Sequence, residues 1–166
     1  IKRNQMKSKH IFILFVAFAI SSCGLFKTAD DLFSEAEIKR NSGEAKAALA
    51  LLEKVISKYG DDEIAPEAQY LIAEIYYRDM RDFSKAIEEY STLRKSYPED
   101  RQVPFALFME GFIYANMLSD FAHAESHYNE FLEMYAEHEL AKSVSFELKY
   151  LGRDVKDIPE LKHLTK

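Results

Sequence analysis

Three groups of residues in this chain have types and spacings that chemistry could use. His123 and His127 lie four apart, with Glu130 three residues beyond, and on a helix two imidazoles at that spacing can hold zinc. The string HAESH, however, places its glutamate wrongly for the HExxH pattern of zinc hydrolases. Lys85 and Glu89 also stand 38 residues upstream of the two histidines, so the reading is a solvated helix face with no metal and no other cofactor. The acid pairs Asp61-Asp62 and Glu88-Glu89 are likewise expected on solvated turn and helix positions, with no His or Ser placed to share their protons. Gly-rich phosphate loops, GxSxG and CxxC do not occur. These residues argue for no catalysis. The third group is Cys23, the single cysteine of the chain, which has no partner for a disulfide.

The elements that must position such residues form a repeat. Pro66 to Pro98 recurs 38 residues later as Pro104 to Ala136, pairing Ala68 with Ala106, Tyr76 with Tyr114, Phe83 with Phe121, Ala86 with Ala124, Tyr90 with Tyr128 and Tyr97 with Tyr135. A weaker upstream copy sets Ala48, Leu52, Val55 and Tyr59 before Ala86, Tyr90, Leu93 and Tyr97. A fixed period in this range means stacked supersecondary units. Within a copy, Leu71, Ile72, Ile75 and Tyr76, then Phe83, Ala86, Ile87, Tyr90 and Leu93, recur at helical spacing, with Asp79 to Asp82 as the turn between two helices. Pro66 suits a first helical turn and Pro98 ends the second helix. Small residues at Ala73 and Gly111, and at Ala86 and Ala124, mark close helix crossings.

This pattern resembles the tetratricopeptide repeat. Ala73, Tyr76, Ala86, Tyr90 and Pro98 fill its small, aromatic, alanine, aromatic and proline places. One extra residue lies between Ala73 and Ala86, Gln69 stands at the usual tryptophan position, and Ala136 replaces the last proline. These departures are similar to the longer variant of bacterial envelope lipoproteins. The resemblance implies an all-α right-handed solenoid of three helix pairs plus a capping helix, over residues 29–151.

The start of the chain reads differently. Lys2, Arg3, Lys7 and Lys9 precede ten uncharged residues from Ile11 to Ile20, then Ser21, Ser22, Cys23 and Gly24. Ten helical residues span about 15 Å, half a bilayer core, so the layout is that of an export signal rather than a transmembrane helix. Its end resembles the bacterial lipobox, which implies a signal peptide over 1–22, lipidation at Cys23 and a tether over 23–28. Acyl chains stabilise insertion by about 0.8 kcal/mol per CH₂, so several of them anchor permanently. The formal charge is −6 and would be −10 without residues 1–22. That balance argues against nucleic acid, which needs clustered Lys and Arg, and favours a body held off anionic lipid.

In chain order, Thr28 or Asp30 is a candidate cap. The first pair is expected from about Asp31 to Asn41 and from Glu44 to Lys58, with Ser42-Gly43 as its turn and Tyr59-Gly60 as a left-handed stop. Ala141, Val144, Ser145, Leu148 and Leu151 form the stripe of a last helix that covers the solenoid. Gly152 stops it, and 152–166 is a tail.

Carried over from the repeat, the groove positions are Tyr70, Glu74, Tyr77 and Arg78 in the second pair. They are Phe105, Phe108, Phe112 and Asn116 in the third, and Phe33, Glu37, Arg40 and Asn41 in the first. The resemblance extends to the BamD (YfiO) type of outer-membrane assembly lipoproteins and to the periplasmic Tol–Pal coordinator. It implies a lipid-anchored scaffold in the cell envelope, facing the periplasm from the outer membrane, whose aromatic groove docks a protein or peptide partner. Two other readings stay open: an accessory factor or activator of a peptidoglycan enzyme, and a glycan- or solute-binding accessory lipoprotein.

Overall fold

Thr28 opens the first helix. Its hydroxyl accepts from the Asp31 N–H while the Asp31 carboxylate accepts from the Thr28 N–H, a reciprocal capping box. The backbone hydrogen bond from Thr28 holds the Asp31 carboxyl below its usual range. From there the computed structural model describes residues 27–154 with Lys156, Ile158 and Pro159, so Cys23 and most of the expected tail lie outside the described residues. The helices are α1 (Ala29–Asn41), α2 (Ala45–Tyr59), α3 (Ala65–Glu74), α4 (Phe83–Ser96), α5 (Val103–Asn116), α6 (Phe121–Met134) and α7 (Ala141–Lys149). A π-helical segment, Ile75–Met80, continues α3. The described residues contain no strand, and none of their helices is long and apolar enough to cross a membrane.

The 38-residue period reappears as geometry. Arg81 and Ser119, one period apart, both adopt left-handed backbone at φ 55° and 54°. After each, an aspartate caps the next helix: Asp82 accepts from the Lys85 N–H and Asp120 from the His123 N–H. The Asp82 N–H donates to the Tyr76 carbonyl at 2.9 Å and the Asp120 N–H to the Tyr114 carbonyl at 2.8 Å. The extra residue of the repeat is absorbed here. In the second pair it widens the helix into the π segment, so the turn expected over Asp79 to Asp82 begins only at Arg81. In the third pair the helix closes with a single wide bond from the Leu118 N–H to the Ile113 carbonyl.

Each helix packs mainly on the next in sequence, as stacked pairs require. Ala36, Ala48, Ala68, Ala73, Ala86, Ala106 and Ala124 are fully buried, which lets the helix axes approach closely. A Cβ on Gly111 would lie 2.8 Å from the Tyr128 ring. In the first two pairs a recurrent tyrosine ties the second helix to the segment that precedes the pair. The Tyr59 hydroxyl donates to the Lys27 carbonyl at 2.8 Å, and that of Tyr97 to the Gly60 carbonyl at 3.1 Å.

Two expectations need correction. Gly60 is right-handed (φ −61°), because the chain continues into a turn closed by Asp62 N–H on the Tyr59 carbonyl. Its lack of a side chain serves contact, since a Cβ would sit 2.9 Å from the Ile56 carbonyl oxygen. Left-handed glycines are Gly43 and Gly152. On α7, Ser145 faces solvent and donates to the Ala141 carbonyl, while Val144 is buried.

Ala86 gives a direct test of the register. Leucine there would overpack the α3–α4 crossing, and Ala86→Leu is expected to lower stability by about 1–3 kcal/mol. Lys85, beside it, reaches outward to Glu88 and Glu89, and Lys85→Leu should change stability by no more than about 0.5 kcal/mol. Urea unfolding of both variants checks this; equal losses would overturn the register.

Candidate functional site: the inner face of the first helices

α1, α3 with its π-helical continuation, and α5 carry the groove residues, and the structure sorts them into three kinds. Tyr70, Tyr77, Phe105, Phe108 and Phe112 are half-buried, each with part of its ring exposed. Arg78 and Asn116 are exposed. Phe33 and Glu74 are buried and cannot line an open groove as expected. Phe33 packs in the first core cluster with Leu32, Ala36 and Leu52, because α1 rotates it toward α2. Of its expected companions, Glu37 and Asn41 are exposed and Arg40 is partly buried.

Glu74 is the floor of a polar knot rather than a rim charge. It accepts from the Tyr90 hydroxyl at 2.9 Å and pairs with the Arg78 guanidinium at 2.6 Å. Arg40 of α1 reaches toward it at 4.0 Å while holding Asp79 at 2.7 Å. Tyr70 stands edge-on to Tyr90, with ring centroids 5.5 Å apart. Burial pushes the Tyr70 hydroxyl above its usual value, and the Glu74 charge adds to it. The same two causes act more strongly on Tyr90.

In the third pair, Phe108 replaces Tyr70 and Phe112 replaces Glu74. Phe108 lies 5.8 Å from Phe112 and 6.3 Å from Tyr128. Phe105 turns instead to His138 of the α6–α7 connector, at 5.2 Å. Tyr77 packs on Phe83 at 6.2 Å. The structure thus joins Phe108 with Phe112, while no ring contact described links Tyr70 or Tyr77 to the α5 phenylalanines. Met109, Met117 and Ile113 share one core cluster with Tyr70 and Tyr77. Sequence reasoning missed the two methionines, whose flexible thioethers fill irregular space. Their spacing of eight on α5 was the available signal.

Against this geometry, the family of outer membrane lipoproteins designated YfiO matches residues 26–151. The chain belongs to this family. No curated protein matches it. YfiO membership accounts for the all-helical solenoid and places the chain in the cell envelope, lipid-anchored at the outer membrane.

Outside the groove, this YfiO-type solenoid buries a second charge cluster. Glu110 of α5 is 1% exposed and meets Arg94 of α4 at 2.5 Å. Arg94 also pairs with Glu130 of α6, and His127 Nε2 lies 3.6 Å from Glu110. Burial raises the Glu110 carboxyl above the usual range, and Arg94 offsets only part of that. Burial pulls the Arg94 guanidinium down, but Glu110 and Glu130 outweigh it and leave it above its usual value. The face expected to be solvated is therefore half closed. His127 is 19% exposed at its side chain, stacks near Tyr114 and gives Nδ1 to the His123 carbonyl. Glu89, also expected in solvent, takes a 2.7 Å bond from Gln69, the residue at the tryptophan position. Among the described residues no group of three His, Cys, Asp or Glu is placed to hold a metal ion.

Glu147 of α7 is, with Glu110, an acid raised above its usual range among the described residues, here by burial alone. Its folded value lies above its unfolded one, so stability from this group is complete below the unfolded value and is lost as pH rises through the folded one. Glu147→Gln is expected to raise the melting temperature at pH 7, with the gain vanishing below about pH 4. Paired melts at pH 7 and pH 4 check it, and a gain of equal size at both would refute the assignment.

Proposed function

We propose that this chain is a lipid-anchored scaffold that docks a segment of an envelope protein on the inner face of its first helices, and that it binds rather than catalyses. Residues 1–22 serve as the export signal, Cys23 takes the lipid, and 23–28 tether the solenoid. The observation that carries the docking reading is the set of half-buried aromatics on α3, its π-helical continuation and α5. Tyr70, Tyr77, Phe108 and Phe112 keep part of each ring in water after the solenoid has closed. Partly exposed aromatic rings on rigid helices bury large areas on a partner at little entropic cost. The polar side chains near them are already paired, as Glu74 shows, which fits recognition by apolar contact better than acid–base chemistry.

The test is capture. The tagged protein, extracted from membranes, should bring down a defined envelope partner, and groove variants should lose it. Anchoring is tested separately. Cys23→Ala should leave the protein unprocessed or release it from the membrane fraction, read by detergent partitioning and intact mass. A mature, acylated species in that variant would overturn the lipidation site.

A further inference from the structure

A cleft opens beside Asn116. There, at the last turn of α5, Asn116, Phe121, Phe146, Glu147 and Tyr150 line a volume of about 490 Å³, within the usual size of a ligand pocket. Its charged groups are Glu147, Asp154 and Arg153, a net charge of −1. Glu147 is partly buried, and no hydrogen bond or ion pair to its carboxylate is found among the described residues. The walls are aromatic. Phe146 and Tyr150 lie 4.9 Å apart, and Phe121 is 43% exposed. Tyr150 already has Lys149 Nζ at 4.6 Å and Arg153 Cζ at 5.8 Å from its ring centre, so cations settle on this wall.

The repeat explains why the acid is left over. In the second pair the Tyr90 hydroxyl donates to Glu74, and Arg78 completes the pair. One period later Phe112 stands in place of Glu74, and the fully buried Tyr128 hydroxyl has no partner among the described residues. The acid whose charge Tyr128 feels is Glu147, on the next helix. The second pair supplies both the carboxylate and its arginine from within. Here Glu147 has no ion-pair partner among the described residues, and the nearby cations Lys149 and Arg153 lie over the Tyr150 ring.

We propose that this cleft takes a lysine or arginine side chain of the docked partner segment, with Glu147 as counter-ion and the Phe121 and Phe146 rings against the aliphatic stem. The proposal rests on the docking function of the inner face and adds a position to it. The partner segment then carries a basic residue beyond its apolar anchors, on the side that meets α7. A carboxylate in a partly dry cleft discriminates a cation from an isosteric apolar chain far better than one in open water.

The experiment titrates the membrane-extracted full chain in detergent with three probes: N-acetyl-lysine methylamide, N-acetyl-arginine methylamide and N-acetyl-norleucine methylamide. Binding is followed by NMR of isotope-labelled tyrosine. The two cationic probes should bind at least about tenfold tighter than norleucine, shift the Tyr150 ring, and lose that margin in Glu147→Gln. Equal binding of all three, or an unchanged margin in the variant, overturns the proposal. So does binding that emerges only once residues 160–166 are deleted, since the chain's own lysines would then be the occupant. Partner capture separates this subsite from the docking reading. If Phe112→Ala abolishes capture and Glu147→Gln captures as the wild type does, the subsite falls and the docking face stands. If neither changes capture, docking on this face falls as well.

Discussion

Replacing Arg94 by methionine should cost about 3–5 kcal/mol of stability, the penalty expected when a buried ion pair loses one partner. Glu110 is 1% exposed, and among the described residues Arg94 is the only lysine or arginine paired with it. Methionine keeps much of the apolar stem of Arg94 but strands the carboxylate inside the α4–α5–α6 junction. The loss should shrink as pH falls, because burial already raises the Glu110 carboxyl and removal of the guanidinium raises it further. The double variant Arg94→Met, Glu110→Leu should recover most of the loss, since an apolar pair can replace a buried ionic one at little net cost. As a control, Arg101 is 81% exposed at its side chain and lies 3.7 Å from Glu67. Arg101→Met should stay within about 0.5 kcal/mol. Urea unfolding at pH 7 and pH 5 reads all four. A loss below about 1 kcal/mol for Arg94→Met, or no recovery in the double variant, would refute the role given to this cluster.

That cluster marks where the sequence stopped being legible. The period was readable because each repeat must bury the same alanines and tyrosines against its neighbours, so Ala86 and Ala124, or Tyr90 and Tyr128, keep their register through every layer. The Thr28 cap and the Ser42-Gly43 turn were readable because their causes are local. Glu110 was not. A glutamate on a helix reads as solvated unless its partner is known, and Arg94 sits on another helix, in no repeat-equivalent place. His127 followed Glu110 inward for the same reason. Glu74 and Phe33 were assigned to the groove by repeat position alone, and each departs through a particular contact: the Tyr90 hydroxyl draws Glu74 into the floor, and α1 turns Phe33 onto the first core cluster. The extra residue between Ala73 and Ala86 was visible as a count. Whether it would enter a loop or widen a helix depended on the packing of Ile75 and Tyr76, which only the assembled pair displays.

Tyr77→Ala and Phe112→Ala should each reduce partner capture by about thirtyfold or more, equivalent to about 2 kcal/mol for the loss of an aromatic anchor in a desolvated groove. The two rings sit on different helix pairs, Tyr77 against Phe83 and Phe112 against Phe108. A partner that needs both must span the second and third pairs, so the losses should approximately add if each ring fills its own pocket. Both rings are half-buried, and this makes the stability control decisive. A groove ring that water reaches on one side should cost about 1 kcal/mol or less when truncated, whereas a core ring costs about 3–5 kcal/mol. Phe131, fully buried on α6, serves as the core reference. Arg78, exposed and paired with Glu74, should instead change association rate and salt dependence when replaced by alanine, with a smaller effect on capture. Circular dichroism melts and pull-downs on the same preparations separate the cases. If Tyr77→Ala and Phe112→Ala melt as early as Phe131→Ala, the rings belong to the core and the inner face is closed to partners. If both stay folded and still capture, the partner docks on α2, α4 and α6 instead.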